Sequence, residues 1–320
     1  MILTTFLSNL FKPVLYYLAQ HRRENPSWVF YGLFACFLGV SLWWHYGTDY
    51  AMAYLLSDWM PRFWVGALFY AVPYFFTVGL YSVCYQKTDF WLRTSFWLLS
   101  VGILFVLTMN QFSGYYLEIV SLLPIELQEW GIKLGFNLNA SFFYLLIPAV
   151  FWCFSPTLRR MHFYGCTTRD FKWQTYALML VVMLPLLIWA SFRVDFLHTY
   201  PRYLPNTAAE RFISPVWTVV LYELTYIVQF IALEIFFRGF IVMALAQYLG
   251  SASVFPMVAV YAFLHFFKPM PETLGSIFGG YILGSIAFYS RSVYGGMWVH
   301  IGIALLMELL AAWQLWRIGA

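Results

Sequence analysis

Seven side chains in the last third of this 320-residue chain stand out as candidates for chemistry: Glu223, Glu234, Arg238, Tyr261, His265, His300 and Glu308. Glu234 and Arg238 stand four apart in IALEIFFRGF, residues 231–240, a run otherwise without charge. A carboxylate can take a proton from water as general base, and an imidazole can share that work or donate to a developing oxyanion. Two histidines and a carboxylate are also the donor types of a His2Glu zinc site. The bland reading is an ion pair, since Glu four residues before Arg is the favourable helical order. Arginine suits a clamp better than a proton donor.

His265 and His300 are the only two of six histidines deep inside apolar runs. Tyr261 lies four residues before His265, on the same helical face, where it can orient the ring. Glu308 follows His300 by two turns with a drift of about 80°, and Glu223 precedes Glu234 by three turns with a drift of only about 20°. Near residue 250 the chain turns back. Glu234 and His265 are almost equally far from that turn, so a straight hairpin sets them at one depth, at about 1.5 Å per residue. His300 starts from a turn near residue 292 and needs an offset helix to match.

These groups must be carried by membrane helices. The chain is 62% hydrophobic and 10% charged, far from the roughly 25% charge of soluble domains. An ionisable group near mid-bilayer costs about 2.5–3.5 kcal/mol, so those present face the bundle interior or a wet cavity. The sequence therefore reads as all-α: a polytopic helical bundle of eight to nine transmembrane helices with an amphipathic interfacial helix at the N-terminus. Membrane lipids are its immediate partners. The net charge of +4 is scattered and points to no nucleic acid. The four cysteines have no ligand or disulfide spacing.

Nine apolar stretches are expected near 28–46, 63–85, 90–109, 141–154, 174–191, 216–248, 252–268, 272–290 and 294–316. Residues 110–140 read as an extracytoplasmic excursion with a partly apolar helix. Residues 1–27 form the interfacial helix, 28–214 an N-terminal membrane region of about five helices, and 215–320 a four-helix core. With the N-terminus in the cytoplasm, ten basic residues face inward and seven outward, Arg238 being within a span. The loop with Arg159, Arg160, Arg169 and Lys172 adds support for that orientation, and an inner (plasma) membrane of bacterial type is expected. Gly275, Gly279, Gly280 and Gly284 give small-xxx-small spacing, which lets helix backbones approach.

The core resembles the CPBP family of intramembrane proteases, which includes CAAX prenyl endopeptidases and the bacteriocin-processing Abi group. The family carries EExxxRG, FxxxH and HxxxN on successive helices. Here LEIFFRG (233–239), YAFLH (261–265) and HIGIA (300–304) occur in that order. The resemblance implies an endopeptidase of glutamic type, formerly classed as metallo, cleaving a peptide or protein near the membrane without a required cofactor. It makes Glu234 and His265 the water-activating pair, His300 an oxyanion donor and Arg238 the clamp, with Glu223 and Glu308 as further carboxylates. A zinc held by Glu234, His265 and His300 is the metal alternative. Leu233 replaces the first glutamate, Tyr261 the phenylalanine and Ala304 the asparagine. Losing one oxyanion donor costs about 10²–10³ in rate in hydrolases. Two other readings stay open: a catalytically degenerate member with a binding or immunity role, and a transporter lined by the carboxylates.

Overall fold

The computed structural model describes residues 2–48, 59–169, 171–205 and 212–319, with the side chains of 2–10 and 59–61 outside that description. Among the described residues there are helices and no strand. The long ones are α1 (Ile2–Glu24), α2 (Trp28–Thr48), α3 (Trp59–Tyr85), α4 (Thr94–Phe112), α6 (Ile125–Phe154), α8 (Trp173–Ser191), α10 (Pro215–Glu234), α12 (Val254–Leu264), α13 (Met270–Ser290) and α14 (Tyr294–Ile318). Short helices α5 (Tyr116–Val120), α7 (Pro156–Arg159), α9 (Val194–Thr199) and α11 (Leu245–Leu249) lie between them.

Seven stretches of the described residues are long and apolar enough to cross a membrane. The count is lower than the expected eight to nine for two physical reasons. Pro215–Phe267 is one apolar stretch of 53 residues, and it contains the turn at Gly250, whose φ of +58° suits glycine. The helix α13 falls short because four glycines and Glu272 dilute it. The stretch expected at 141–154 also begins earlier, inside the segment 110–140. The helix α6 runs 30 residues without a break from Ile125. Glu126, Glu129 and Lys133 occupy its opening turns, and acidic groups there suit the positive end of the helix dipole.

The contacts divide the chain into two compact units. The first comprises Met1–Ser113, Leu146–Asp170 and Ile235–Tyr294. Here α1 runs through Pro13 to Glu24, within the segment 1–27 expected to be helical. Near its end His21 is fully buried. Its Nε2–H donates to the Ser251 carbonyl at 3.0 Å, and the Tyr281 hydroxyl donates to Nδ1 at 2.9 Å. Burial pushes this imidazole down to about 4, against a smaller opposing pull from the Ser251 hydrogen bond. Helices α12 and α13 pack through glycine. A Cβ on Gly280 would lie 3.2 Å from the Tyr261 ring, and one on Gly284 would lie 2.5 Å from Met257 Cε, whereas Gly275 and Gly279 face open space. Two of the four glycines therefore set the helix approach.

The second unit comprises Gly114–Leu145, Phe171–Glu234 and Gly295–Ala320. Trp130 Nε1 donates to the Thr218 carbonyl at 3.0 Å, and Asn137 Nδ2 to Thr225 Oγ1 at 3.2 Å, tying α6 to α10. Such bonds between membrane helices average about 0.6 kcal/mol. Gln314 Nε2 donates to Ser191 Oγ at 3.2 Å and ties α14 to α8. An aromatic column of Tyr203, Tyr222, Tyr226 and Phe230 runs along α10, with successive ring centroids 5.4, 5.6 and 4.6 Å apart.

Candidate active site

In the second unit, Glu234 ends α10 and is wholly buried. His300 stands on α14, less than two turns from its start. The two meet at 2.8 Å, His300 Nδ1 to Glu234 Oε1, with the His300 side chain 16% accessible and that of Glu234 0%. Donation of Nδ1–H to the carboxylate leaves the imidazole lone pair on Nε2. The accessible partner of the pair is thus the histidine.

The reason they meet is local. Gly296 lies one turn before His300 on the same face. A Cβ there would stand 2.1 Å from Glu234 Oε2 and 3.1 Å from its Cδ. Glycine lets the carboxylate rest against the first turn of α14, where main-chain N–H groups lack intrahelical acceptors and carry partial positive charge. Phe230, one turn before Glu234, packs on the other side of His300 with ring centroids 4.4 Å apart. Ala304, one turn past His300, is buried in a cluster with Tyr203, Tyr222, Tyr226 and Phe230.

In the first unit, residues 235–244 form a π-helical segment, every one buried. Arg238 lies in this wide turn, not in the α-helix that the Glu–Arg spacing assumed. Such turns are rare and frequent at functional sites. The Arg238 guanidinium carbon sits 4.4 Å from the centroid of the Tyr261 ring, a cation–π contact worth about 2 kcal/mol when desolvated. Tyr261 also orients His265, through its main chain: His265 Nδ1–H donates to the Tyr261 carbonyl at 2.8 Å. The two rings are 4.5 Å apart, edge to face. The His265 carbonyl in turn accepts from Thr273 Oγ1 at 2.6 Å. Gly239 has its own cause. A Cβ there would lie 2.7 Å from both the Cβ and the carbonyl oxygen of Tyr164. The loop 163–165 lies directly on the motif glycine.

Glu308 and Glu223 have separate surroundings in the second unit. Both Glu308 oxygens accept from the Arg202 main-chain N–H, at 3.0 and 2.9 Å. Glu308 thereby anchors the loop that follows α9. Glu223 is half-buried on α10. Gly296, Phe230, Tyr164 and Arg202 are contributors that residue chemistry did not single out. Only the Gly295–Gly296 pair at a helix start was a readable signal. Among the described residues no three His, Cys, Asp or Glu side chains gather as a metal-binding group.

No curated protein and no solved structure matches the chain. Residues 215–306 match the family model described as Rce1-like, type II CAAX prenyl endopeptidase. The match spans Glu234, Arg238, His265, His300 and Ala304 and ends before Glu308. With the motif order and the apolar helices, this match supports a relationship of residues 215–306, under a third of the chain, to CPBP-family intramembrane proteases.

Proposed function

We propose that the protein is a membrane-embedded endopeptidase whose water-activating pair is Glu234 and His300. The observation that carries this reading is the 2.8 Å bond between a fully buried carboxylate and a partly accessible imidazole. Glu234 holds the ring and balances the positive charge that His300 acquires. His300 Nε2 takes a proton from water as the oxygen attacks a peptide carbonyl. The same proton then passes to the leaving amine as the tetrahedral intermediate collapses. General base catalysis of this kind contributes about 10²–10⁴-fold. The carboxylate acts as the orienting member of a nucleophile-activating chain.

His265 enters the reaction by motif order. Its Nδ1–H is committed to Tyr261, so Nε2 is the atom it offers. Arg238 is held by its stack on Tyr261. The substrate class is a peptide or protein segment exposed near the membrane. The distribution of basic residues supports a cytoplasmic N-terminus in an inner membrane of bacterial type.

A second reading is a catalytically silent member with a binding or immunity role. It is favoured by Leu233, buried on α10, and by Ala304, packed among aromatic rings. The test is cleavage of a membrane-presented peptide library by purified protein in nanodiscs, compared with Glu234→Gln. Cleavage that disappears in a variant of wild-type unfolding temperature supports the protease. A folded wild type that cleaves nothing, together with a cellular phenotype unaffected by Glu234→Gln and His300→Ala, favours the silent member.

A further inference from the structure

The first unit contains a groove whose lining includes none of the proposed reaction residues. It has a volume of about 360 Å³ and opens on the outer surface. Its walls are Leu98 and Leu99 of α4, Val150 and Phe154 of α6, and Leu158 of α7. Leu98 and Phe154 are 60% and 82% exposed, so the groove is continuous with the apolar outside of the helices. A bond from the Tyr248 hydroxyl to Ser95 Oγ, 2.8 Å, ties α11 to the start of α4 at its rim. Volumes of about 300–1,000 Å³ are typical of small-molecule sites.

Charge identifies the occupant. Arg93 immediately precedes α4, and Arg159 and Arg160 immediately follow Leu158. All three are exposed, and none has an ion-pair partner among the described residues. The two loops they belong to, 86–93 and 155–172, hold six basic and two acidic residues. That surplus equals the entire net charge of +4. Trp97 Nε1 donates to the Trp91 carbonyl at 2.8 Å and Trp91 Nε1 to Ser82 Oγ at 2.7 Å. These indoles mark headgroup depth at the same end of the helices. An apolar slot open to lipid, bordered by unpaired arginines at headgroup level, has the form of a phospholipid site.

We propose that this groove binds an anionic phospholipid, one acyl chain against Leu98, Val150 and Phe154 and the phosphate against Arg93, Arg159 and Arg160. The inference is independent of the catalytic assignment. Each basic residue near such a surface is worth about fivefold in affinity, so all three are worth about a hundredfold.

The experiment reconstitutes full-length protein in nanodiscs with equal phosphatidylglycerol and phosphatidylcholine, followed by native mass spectrometry of retained lipid. Wild type is expected to retain phosphatidylglycerol preferentially. The Arg93→Gln, Arg159→Gln, Arg160→Gln triple variant is expected to lose that preference, and Leu98→Trp, which fills the slot, to lose retained lipid with the arginines intact. If the triple variant misfolds, Arg159→Gln alone is expected to lower the preference about fivefold. Equal retention of the two lipids by wild type, or an undiminished preference in folded arginine variants, overturns the proposal.

Discussion

Replacing Gly296 by alanine puts one methyl group where the Glu234 carboxylate already lies. The new Cβ would stand 2.1 Å from Oε2, well inside van der Waals contact. On an open helix face the same change gains up to about 1 kcal/mol of helix propensity. Here the carboxylate must retreat by roughly 1 Å, taking Oε1 away from His300. Overpacking costs about 1–3 kcal/mol, and a hydrogen bond to a charged group is worth about 1.5–3 kcal/mol. Adding the two costs and subtracting the propensity gain gives a net destabilisation of about 1.5–5 kcal/mol. A misplacement of 1 Å costs about 10²-fold in rate. The assay pairs thermal unfolding in detergent with kcat/KM on a cleaved membrane peptide. Gly275→Ala on α13 is the control, since nothing lies within 4 Å of its Cβ, and it is expected to hold or gain stability. Wild-type stability and rate in Gly296→Ala would refute the claim that close approach to α14 sets the Glu234–His300 geometry.

Three further outcomes are expected. Gly239→Ala drives a methyl into the Tyr164 main chain, which cannot swing aside, and should lower stability by about 1–3 kcal/mol; an unchanged unfolding temperature would mean that loop 163–165 does not rest on Gly239. Glu308→Gln weakens the charged anchor on the Arg202 N–H, so hydrogen exchange there should rise while hydrolysis stays near wild type. Lost hydrolysis with unchanged exchange would instead return Glu308 to the reaction. His21 is neutral in the fold, and its pKa of about 4 lies below the ordinary 6.5. The unfolded chain therefore binds more protons between those values, so stability is full above pH 6.5 and falls by about 3 kcal/mol towards pH 4. His21→Gln should flatten that loss, and an equal acid loss in the variant would assign it elsewhere.

The helices were legible because composition decides them: a chain this apolar must satisfy its main chain internally. Their ends were less so. Glu126, Glu129 and Lys133 read as part of a separate excursion, yet they open the same 30-residue helix that continues through the span expected at 141–154. Residue types and motif order picked out Glu234, Arg238, His265 and His300. Counting depth along straight helices gave His300 a poor match to Glu234, because counting ignores what a glycine permits. Gly296 removes the side chain that would hold α14 away from the carboxylate. The π-helical segment from Ile235 was invisible for a related reason: its wide turns follow from packing around ten buried residues, not from local propensity. The 80° drift of Glu308 from His300 gave no hint that both its oxygens accept from a main-chain N–H of a loop about a hundred residues earlier.

The central claim is that Glu234 and His300 act as one unit on water. A double-mutant cycle in kcat/KM, with Glu234→Gln, His300→Ala and both together in folded protein, tests it most directly. Members of one catalytic chain are non-additive. Each single variant should lose at least about 10²-fold, and the double variant should be little worse than either. A single variant at wild-type rate, or losses that multiply in the double variant, would contradict the account.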